Sequence, residues 1–267
     1  DGPDGYAFSI LDALNKAAVG VKSDGTFVAK AAQIETVAGV DTINGVDFAD
    51  LVNPTGVQGV VAGNFATDVA HILHYGQSLS RGFKAHPVIS TTQSFDSLRF
   101  ASGVRPDDGT GIRGSLVPLV ETLVSDHGET PASGAADAIK ELIQSENGLA
   151  YTDHDYQILG SADGQSGLRI SLLSDPAGDQ YTRLVASVQA GYDLSQAASK
   201  TYSVPAMSWT QGEGDYQFST TFATYLAAME SLRDQVETSA NGITGRSDSL
   251  KMITYQVASN KYYSKTY

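Results

Sequence analysis

The feature that most constrains the fold is a largely apolar run, residues 69–75, that breaks abruptly into Gly76, Gln77 and Ser78. A run of this kind is typical of a buried parallel strand that ends in a tight turn, and here the turn presents a hydroxyl group at the carboxyl end of the strand. Ligands of open α/β sheets bind at that edge. We therefore expect Ser78 to lie at a functional site.

Strand-like and helix-like segments alternate after this first strand. Further strands are predicted at residues 156–159, 204–209 and 251–258, a short helix at 116–123, and a long polar loop at 78–114. A loop of that length usually carries function. The alternation predicts an α/β fold, in which a parallel sheet with right-handed crossovers has helices on both faces.

Three longer helices are predicted from caps and apolar periodicity. One follows Thr130 as N-cap and Pro131 at the first position, and extends to about Gln144. Its apolar stripe is predicted to contain Ala135, Ile139, Leu142 and Ile143. The second helix is expected over residues 179–198. The third has an apolar face formed by Phe218, Phe222, Tyr225, Leu226, Met229, Leu232 and Val236.

The first 65 residues have a different character. They are rich in glycine and small residues, with turn-forming pairs at short intervals. We expect two domains: residues 1–65 as a small irregular or β-rich module, and residues 66–267 as the α/β domain. The module is either a plain β decoration or an assembly element that needs a neighbouring chain, which would make the protein a homo-oligomer or part of a larger assembly.

Composition limits the partners and the chemistry. The formal net charge of −13, from 17 basic and 30 acidic residues, argues against nucleic acid and anionic membrane surfaces as partners. A neutral or weakly charged substrate fits this charge better. The absence of cysteine excludes disulfides, thiol catalysis and thiolate metal sites. No run of about 20 apolar residues is present.

Two segments carry a family resemblance. Residues 75–78 (Tyr-Gly-Gln-Ser) and 209–215 (Trp-Thr-Gln-Gly-Glu-Gly-Asp) resemble the first and third blocks of the SGNH (GDSL-type) hydrolases, in the branch of sialate O-acetylesterases and related carbohydrate acetylesterases. The resemblance covers about residues 68–258. It implies a flavodoxin-like α/β fold and a serine esterase that removes O-acetyl groups from a carbohydrate or polysaccharide, with no cofactor and no metal.

The resemblance also implies site residues. Ser78 would be the nucleophile, and the oxyanion would be held by the backbone N–H groups of Ser78 and Gly164 and by the side-chain amide of Gln211. Gly164 is preferred to Gly160 because residues 164–166 (Gly-Gln-Ser) stand where the family has Gly-Gly-Thr. Ser166 is the competing hydroxyl. The residues expected to orient the loops or contact substrate are Gln77, Glu213 and Asp215.

The general base is the main departure from the family. These hydrolases take it from an Asp-x-x-His pair after the last strand, and no histidine follows His154. His71 and His74 are expected on opposite faces of one strand. His127 and His154 are expected in solvated turns, and His86 is a conceivable rim residue.

Three explanations for the missing base remain open. In the explanation that we prefer, a continuation of the chain would carry the histidine, and this sequence would be a fragment. In the second, another polypeptide or subunit would supply the histidine. In the third, the domain would be catalytically inactive and would only bind its ligand. The alternative function is therefore a non-catalytic glycan-binding or structural assembly module that keeps the hydrolase fold. Acidic composition, absence of cysteine and the glycine-spaced module favour a surface-exposed or extracellular protein, of phage-tail or other virion-associated type.

Overall fold

In the computed structural model the chain divides into two compact units, residues 1–64 and 65–267. The structure describes Phe65, residues 67–106 and 113–255, and in the first unit the backbone of five short strands. These are β1 (Tyr6–Leu11), β2 (Ala17–Lys22), β3 (Phe27–Ala29), β4 (Thr42–Ile43) and β5 (Val46–Asp47). β1, β2 and β3 form one antiparallel sheet, and β4 pairs with β5. The predicted assembly role of residues 1–65 falls on side chains outside the described residues.

The described part of the second unit contains six strands and five α-helices. The strands are β6 (Val69–Gly76), β7 (Leu98–Phe100), β8 (Leu116–Pro118), β9 (Gln157–Ala162), β10 (Tyr202–Thr210) and β11 (Lys251–Thr254). The helices are α1 (Pro131–Asn147), α2 (Ile170–Leu173), α3 (Asp179–Ala197), α4 (Glu213–Gln217) and α5 (Phe222–Thr244). Two 3₁₀ turns lie at Ser78–Arg81 and Tyr151–Asp153. The last four residues of the strand predicted at 251–258 extend beyond β11, and all but Tyr255 lie outside the described residues.

The six strands form one sheet in the order β11-β10-β6-β9-β7-β8. Neighbouring strands are parallel except for β7 and β8, which form an antiparallel pair. The predicted α/β class is confirmed, but the sheet is mixed and not wholly parallel. The short helix predicted at residues 116–123 is wrong, because its first three residues form β8. An edge strand tolerates the proline at position 118, which cannot donate a ladder hydrogen bond.

Side chains of β6 alternate between two cores, one on each face of the sheet. Val69, Leu73 and Tyr75 pack in the cluster that includes α3 and α5. Ala70 and Ile72 pack in the cluster that includes the first turns of α1. A strand buried on both faces reads as a continuous apolar run, which is why this segment was recognisable. Helices therefore lie on both faces of the sheet, as the sequence predicts.

α1 begins where its cap predicts, but its buried face differs in part from the predicted stripe. Thr130 accepts a hydrogen bond from the Ala132 N–H at the start of α1. The buried face of α1 is rotated from the predicted stripe, because Leu142 is 54% exposed while the Lys140 side chain is buried beside Asp96, 2.7 Å away. The buried positions of α1 are Ala132, Ser133, Ala136, Lys140 and Ile143.

The predicted apolar face of α5 is also wrong in part. Phe222, its first residue, is 79% exposed, and Phe218 precedes the helix and is 58% exposed. The buried positions of α5 are Leu232, Val236 and Ala240. No helix that the structure describes is long and apolar enough to span a membrane.

Candidate active site

Gly76, the last residue of β6, joins the exits of β6 and β10. Its φ of +141° is a conformation that residues with a side chain rarely adopt, and a Cβ atom there would overlap the carbonyl group of Thr210. The Gln77 N–H donates a hydrogen bond of 2.9 Å to the Thr210 carbonyl oxygen. Only glycine permits so close an approach of the two backbones. The ends of β6 and β10 are thus held together.

The exit of β9 meets the same point. The Gln165 N–H donates to the Gly76 carbonyl oxygen at 2.9 Å. A Cβ atom on Gly164 would overlap both that carbonyl oxygen and the Oγ of Ser80. Gly164, which the sequence singled out, therefore packs directly against the turn that contains Ser78.

This meeting point coincides with the reversal of strand order in the sheet. From β6 the chain runs to β7, β8 and β9 on one side, and then crosses to β10 and β11 on the other. In open α/β sheets, ligands bind outside the carboxyl ends of the strands at such a reversal. Ser78 follows β6 and Gln211 follows β10, so both lie at this position.

Ser78 begins the 3₁₀ turn, with Gln77 as its N-cap. The first N–H groups of a helical turn have no acceptor within the turn. Ser80, the other hydroxyl of the turn, is fully buried and donates to the Gln77 carbonyl oxygen at 2.6 Å. The Ser78 side chain is partly exposed, and its hydroxyl forms no hydrogen bond within the described part of the chain. Of these two hydroxyls, Ser78 is the accessible one.

Gln77 and Glu213 form a buried clamp between the first and third segments. The Gln77 Nε2 donates to the Glu213 Oε2 at 2.7 Å, and the Gly214 N–H donates to the Gln77 Oε1 at 3.2 Å. The Tyr255 hydroxyl, beyond β11, donates to the other oxygen of Glu213 at 2.6 Å. Burial, together with this bond to Glu213, raises the pKa of Tyr255 above its ordinary value. Gln77 and Glu213 are thus placed to support the loops.

Gln211 is buried and both hydrogens of its amide are in use. Its Nε2 donates to the Asp215 Oδ2 at 2.5 Å and to the Leu168 carbonyl oxygen at 3.3 Å. An amide group has two hydrogens to donate. A bond to a substrate oxygen therefore requires the longer of these two bonds to be given up. Asp215 accepts further bonds from the Ile170 N–H and the Thr220 hydroxyl, so it orders the loop after β10.

Asp163, immediately before Gly164, is a supporting residue that sequence reasoning missed. Its carboxylate is buried and accepts from the Ser161 hydroxyl at 2.6 Å and the Ser187 hydroxyl at 2.5 Å. A guanidinium nitrogen of Arg113 lies 3.9 Å from the same carboxylate. The sequence signal that could have identified Asp163 is a charged residue directly after an apolar strand and directly before Gly164.

His71 and His74 are buried on the central strand and are neutral. His71 contacts the Tyr202 hydroxyl at 2.7 Å and the Ser161 hydroxyl at 2.8 Å, whereas His74 contacts the Ser208 hydroxyl at 2.8 Å. Burial lowers the pKa of His71 to about 3 and that of His74 to about 4. They have different partners, as their predicted placement on opposite faces requires, and neither bonds to Ser78.

The other three histidines lie in different surroundings. His127 is half-buried rather than in a solvated turn: its ring lies 5.5 Å from that of Phe83, and its Nε2 is 3.4 Å from the Ser166 Oγ. His154 precedes β9, at the opposite edge of the sheet, and packs against the rings of Phe65 and Tyr156. His86 is exposed and lines an apolar hollow of about 980 Å³.

Within the described residues, no group of three or more histidine or acidic side chains could hold a metal ion. No family model matches the chain, and no curated protein matches it. An X-ray structure of a protein from Arabidopsis thaliana is similar at 14% sequence identity and a TM-score of 0.43, over 73% of this chain and 89% of that chain.

Proposed function

We propose that the protein is a serine esterase of the SGNH type that removes O-acetyl groups from a carbohydrate or polysaccharide. The observation that carries the proposal is the meeting of three strand exits at Gly76, which brings the turn of Ser78, the backbone of Gly164 and the loop of Gln211 to the reversal of strand order. The strand order β9-β6-β10-β11 supports a flavodoxin-like arrangement.

In the proposed reaction the Ser78 hydroxyl attacks the acetyl carbonyl, and the glycan leaves as its alcohol. The oxyanion of the tetrahedral intermediate accepts hydrogen bonds from the N–H groups of Ser78 and Gly164 and from the Gln211 amide, each worth about 3 kcal/mol. Gln211 makes its bond by exchanging its long contact with the Leu168 carbonyl for the substrate oxygen. Water then hydrolyses the acetyl-enzyme and releases acetate.

A serine hydroxyl needs an adjacent base at neutral pH. The resemblance assigns that base to an Asp-x-x-His pair after the last strand, so the proposal takes it from a continuation of the chain or from a partner. His71 and His74 are buried and bond to side chains other than Ser78, and burial lowers the pKa of both, so neither is positioned to activate Ser78 and both are weak bases. His127 contacts Ser166, which makes Ser166 the hydroxyl to test against Ser78.

The test is acetate release from 4-nitrophenyl acetate and from an acetylated polysaccharide. Ser78→Ala is expected to lower the rate by about three orders of magnitude or more, because it removes the nucleophile. Ser166→Ala, the matched control at the neighbouring exit, is expected to retain the wild-type rate. Equal release by wild type and Ser78→Ala would remove Ser78 as nucleophile, and loss on Ser166→Ala alone would transfer the role to Ser166.

A non-catalytic glycan-binding module with the same fold is the second candidate. The observation that favours it is the absence, among the described residues, of a histidine bonded to the Ser78 hydroxyl. This candidate predicts tight glycan binding, and no acetate release by wild type or by Ser78→Ala.

The remaining proposals follow from the sequence. The proposed partner is an acetylated glycan, and neither nucleic acid nor a membrane is a proposed partner. The proposed location is extracellular or virion-associated, and assembly is proposed to occur through residues 1–65.

A further inference from the structure

An exposed aromatic ring and an arginine lie together beside the site. Phe218, directly after α4, is 58% exposed. The guanidinium carbon of Arg169 lies 4.5 Å from the centre of its ring, which is a cation–π contact. Within the described residues no acidic side chain pairs with Arg169.

The segment that holds Arg169 is fixed from both sides by residues of the third block. The Leu168 carbonyl oxygen accepts from the Gln211 Nε2 at 3.3 Å. The Ile170 N–H donates to the Asp215 Oδ2 at 2.7 Å, and both partners are buried. The backbone on each side of Arg169 is therefore anchored to the loop that follows β10.

Phe218 is anchored to the same loop. Its N–H donates to the Gly214 carbonyl oxygen at 3.1 Å. The Gly214 N–H in turn donates to the Oε1 of Gln77, the residue before Ser78. The backbone of Phe218 is thus linked, through Gly214 and the Gln77 side chain, to the residue before the proposed nucleophile. The contact with the Arg169 guanidinium holds the ring itself, and a ring held in place before ligand binding saves the entropy of ordering it.

We propose that Phe218 and Arg169 form a subsite that binds a sugar ring of the glycan. The apolar C–H face of the sugar stacks on the exposed face of the Phe218 ring, and the Arg169 guanidinium donates hydrogen bonds to the sugar oxygens. This subsite rests on the proposed function for its ligand class. It explains why the loop that carries Gln211 also supports an exposed apolar ring.

Phe222 provides the matched comparison. It is four residues further along and 79% exposed, more than Phe218. Within the described residues no cation lies over its ring, and it begins α5 rather than the loop of the site. Exposure alone would therefore give both residues the same role, whereas the anchored contact with Arg169 distinguishes Phe218.

The experiment measures the binding of the whole protein to an array of neutral and acidic polysaccharides, with and without O-acetyl groups. Phe218→Ala is expected to weaken the Kd for the bound glycan roughly five- to tenfold. Arg169→Ala is expected to act in the same direction, and Phe222→Ala to bind as wild type. Phe218→Leu keeps apolar volume without a flat ring, so it is expected to weaken binding even if Phe218→Ala fails to fold.

The outcomes separate this subsite from the proposed esterase. Equal binding by wild type and the Phe218 variants, or equal loss in Phe222→Ala, would overturn the subsite, as would the absence of binding to every glycan. Binding that depends on Phe218 in a protein that does not hydrolyse 4-nitrophenyl acetate would support the subsite and remove the esterase. Hydrolysis of that ester without glycan binding would do the reverse.

Discussion

Gly76 is the residue on which the geometry of the site depends most directly. We predict that Gly76→Ala lowers the free energy of unfolding by more than about 1 kcal/mol, because its φ is +141° and the added Cβ overlaps the Thr210 carbonyl. The shift in backbone needed to relieve the overlap moves Ser78 and is expected to lower ester hydrolysis about 100-fold. Urea unfolding and initial rates on 4-nitrophenyl acetate measure the two effects.

Gly134 is the control for this substitution. It lies inside α1, and a Cβ atom there would contact nothing within 4 Å. Gly134→Ala is expected to raise the free energy of unfolding by about 0.5–1 kcal/mol and to leave hydrolysis unchanged. Equal stability effects at the two positions would contradict the role assigned to Gly76.

At the residue scale, the sequence was informative where a local pattern decided the local structure. The break after residues 69–75 correctly placed Ser78 just beyond the end of a strand, and the run at 204–209 correctly placed Gln211 just beyond another. The sequence could not reveal that Gln77 bonds to Glu213, since the two residues are 136 positions apart and only the fold brings them together. The bond from the Gln211 amide to the Leu168 carbonyl and the bond from the Ser187 hydroxyl to Asp163 likewise join residues that are distant in the sequence.

At the element scale, one histidine joins three strands. His71 on β6 contacts Ser161 on β9 and Tyr202 on β10, and all three side chains are buried. Burial holds the His71 pKa at about 3, against 6.5 for an exposed histidine. Between about pH 6.5 and pH 3, His71 therefore binds a proton in the unfolded chain but not in the folded chain.

This difference fixes the sign of a pH effect. The contribution of neutral His71 to stability is fully present above pH 6.5, and we predict that it is lost as the pH falls toward 3, by up to about 1.4 kcal/mol per pH unit. Urea unfolding of wild type and His71→Gln across this range isolates the effect. The stability difference between the two proteins should shrink at low pH, and a constant difference would show that His71 does not titrate on unfolding.

Elements that depend on tertiary partners were the ones the sequence described poorly. Residues 116–118 become β8 because β7 offers them an antiparallel partner, Leu98 opposite Pro118. The buried face of α1 includes Lys140, whose ammonium group finds Asp96 and which no apolar pattern could include. By contrast, β6 and the start of α1 were predictable, since a buried apolar run and an N-cap are local signals.

At the scale of the whole molecule, the sheet order follows from the crossovers. The chain places β9 and β10 on opposite sides of β6, so three exits meet at one edge. The sequence predicted the alternation of strands and helices but not this order, nor the antiparallel pair at the far edge. Contacts between separate strands decide both the strand order and the antiparallel pairing of β7 with β8. The proposed function depends on that order, because it alone brings Ser78, Gly164 and Gln211 to one place.

The most direct test of this account is a crystal structure of the protein after reaction with a phosphonate ester that mimics the tetrahedral intermediate. We predict phosphorus bonded to the Ser78 Oγ, and one phosphonyl oxygen roughly 3 Å from the Gly164 nitrogen and the Gln211 Nε2. Reaction at Ser166 instead, or a Gln211 amide more than about 8 Å from that oxygen when donors must lie near 3 Å, would contradict it.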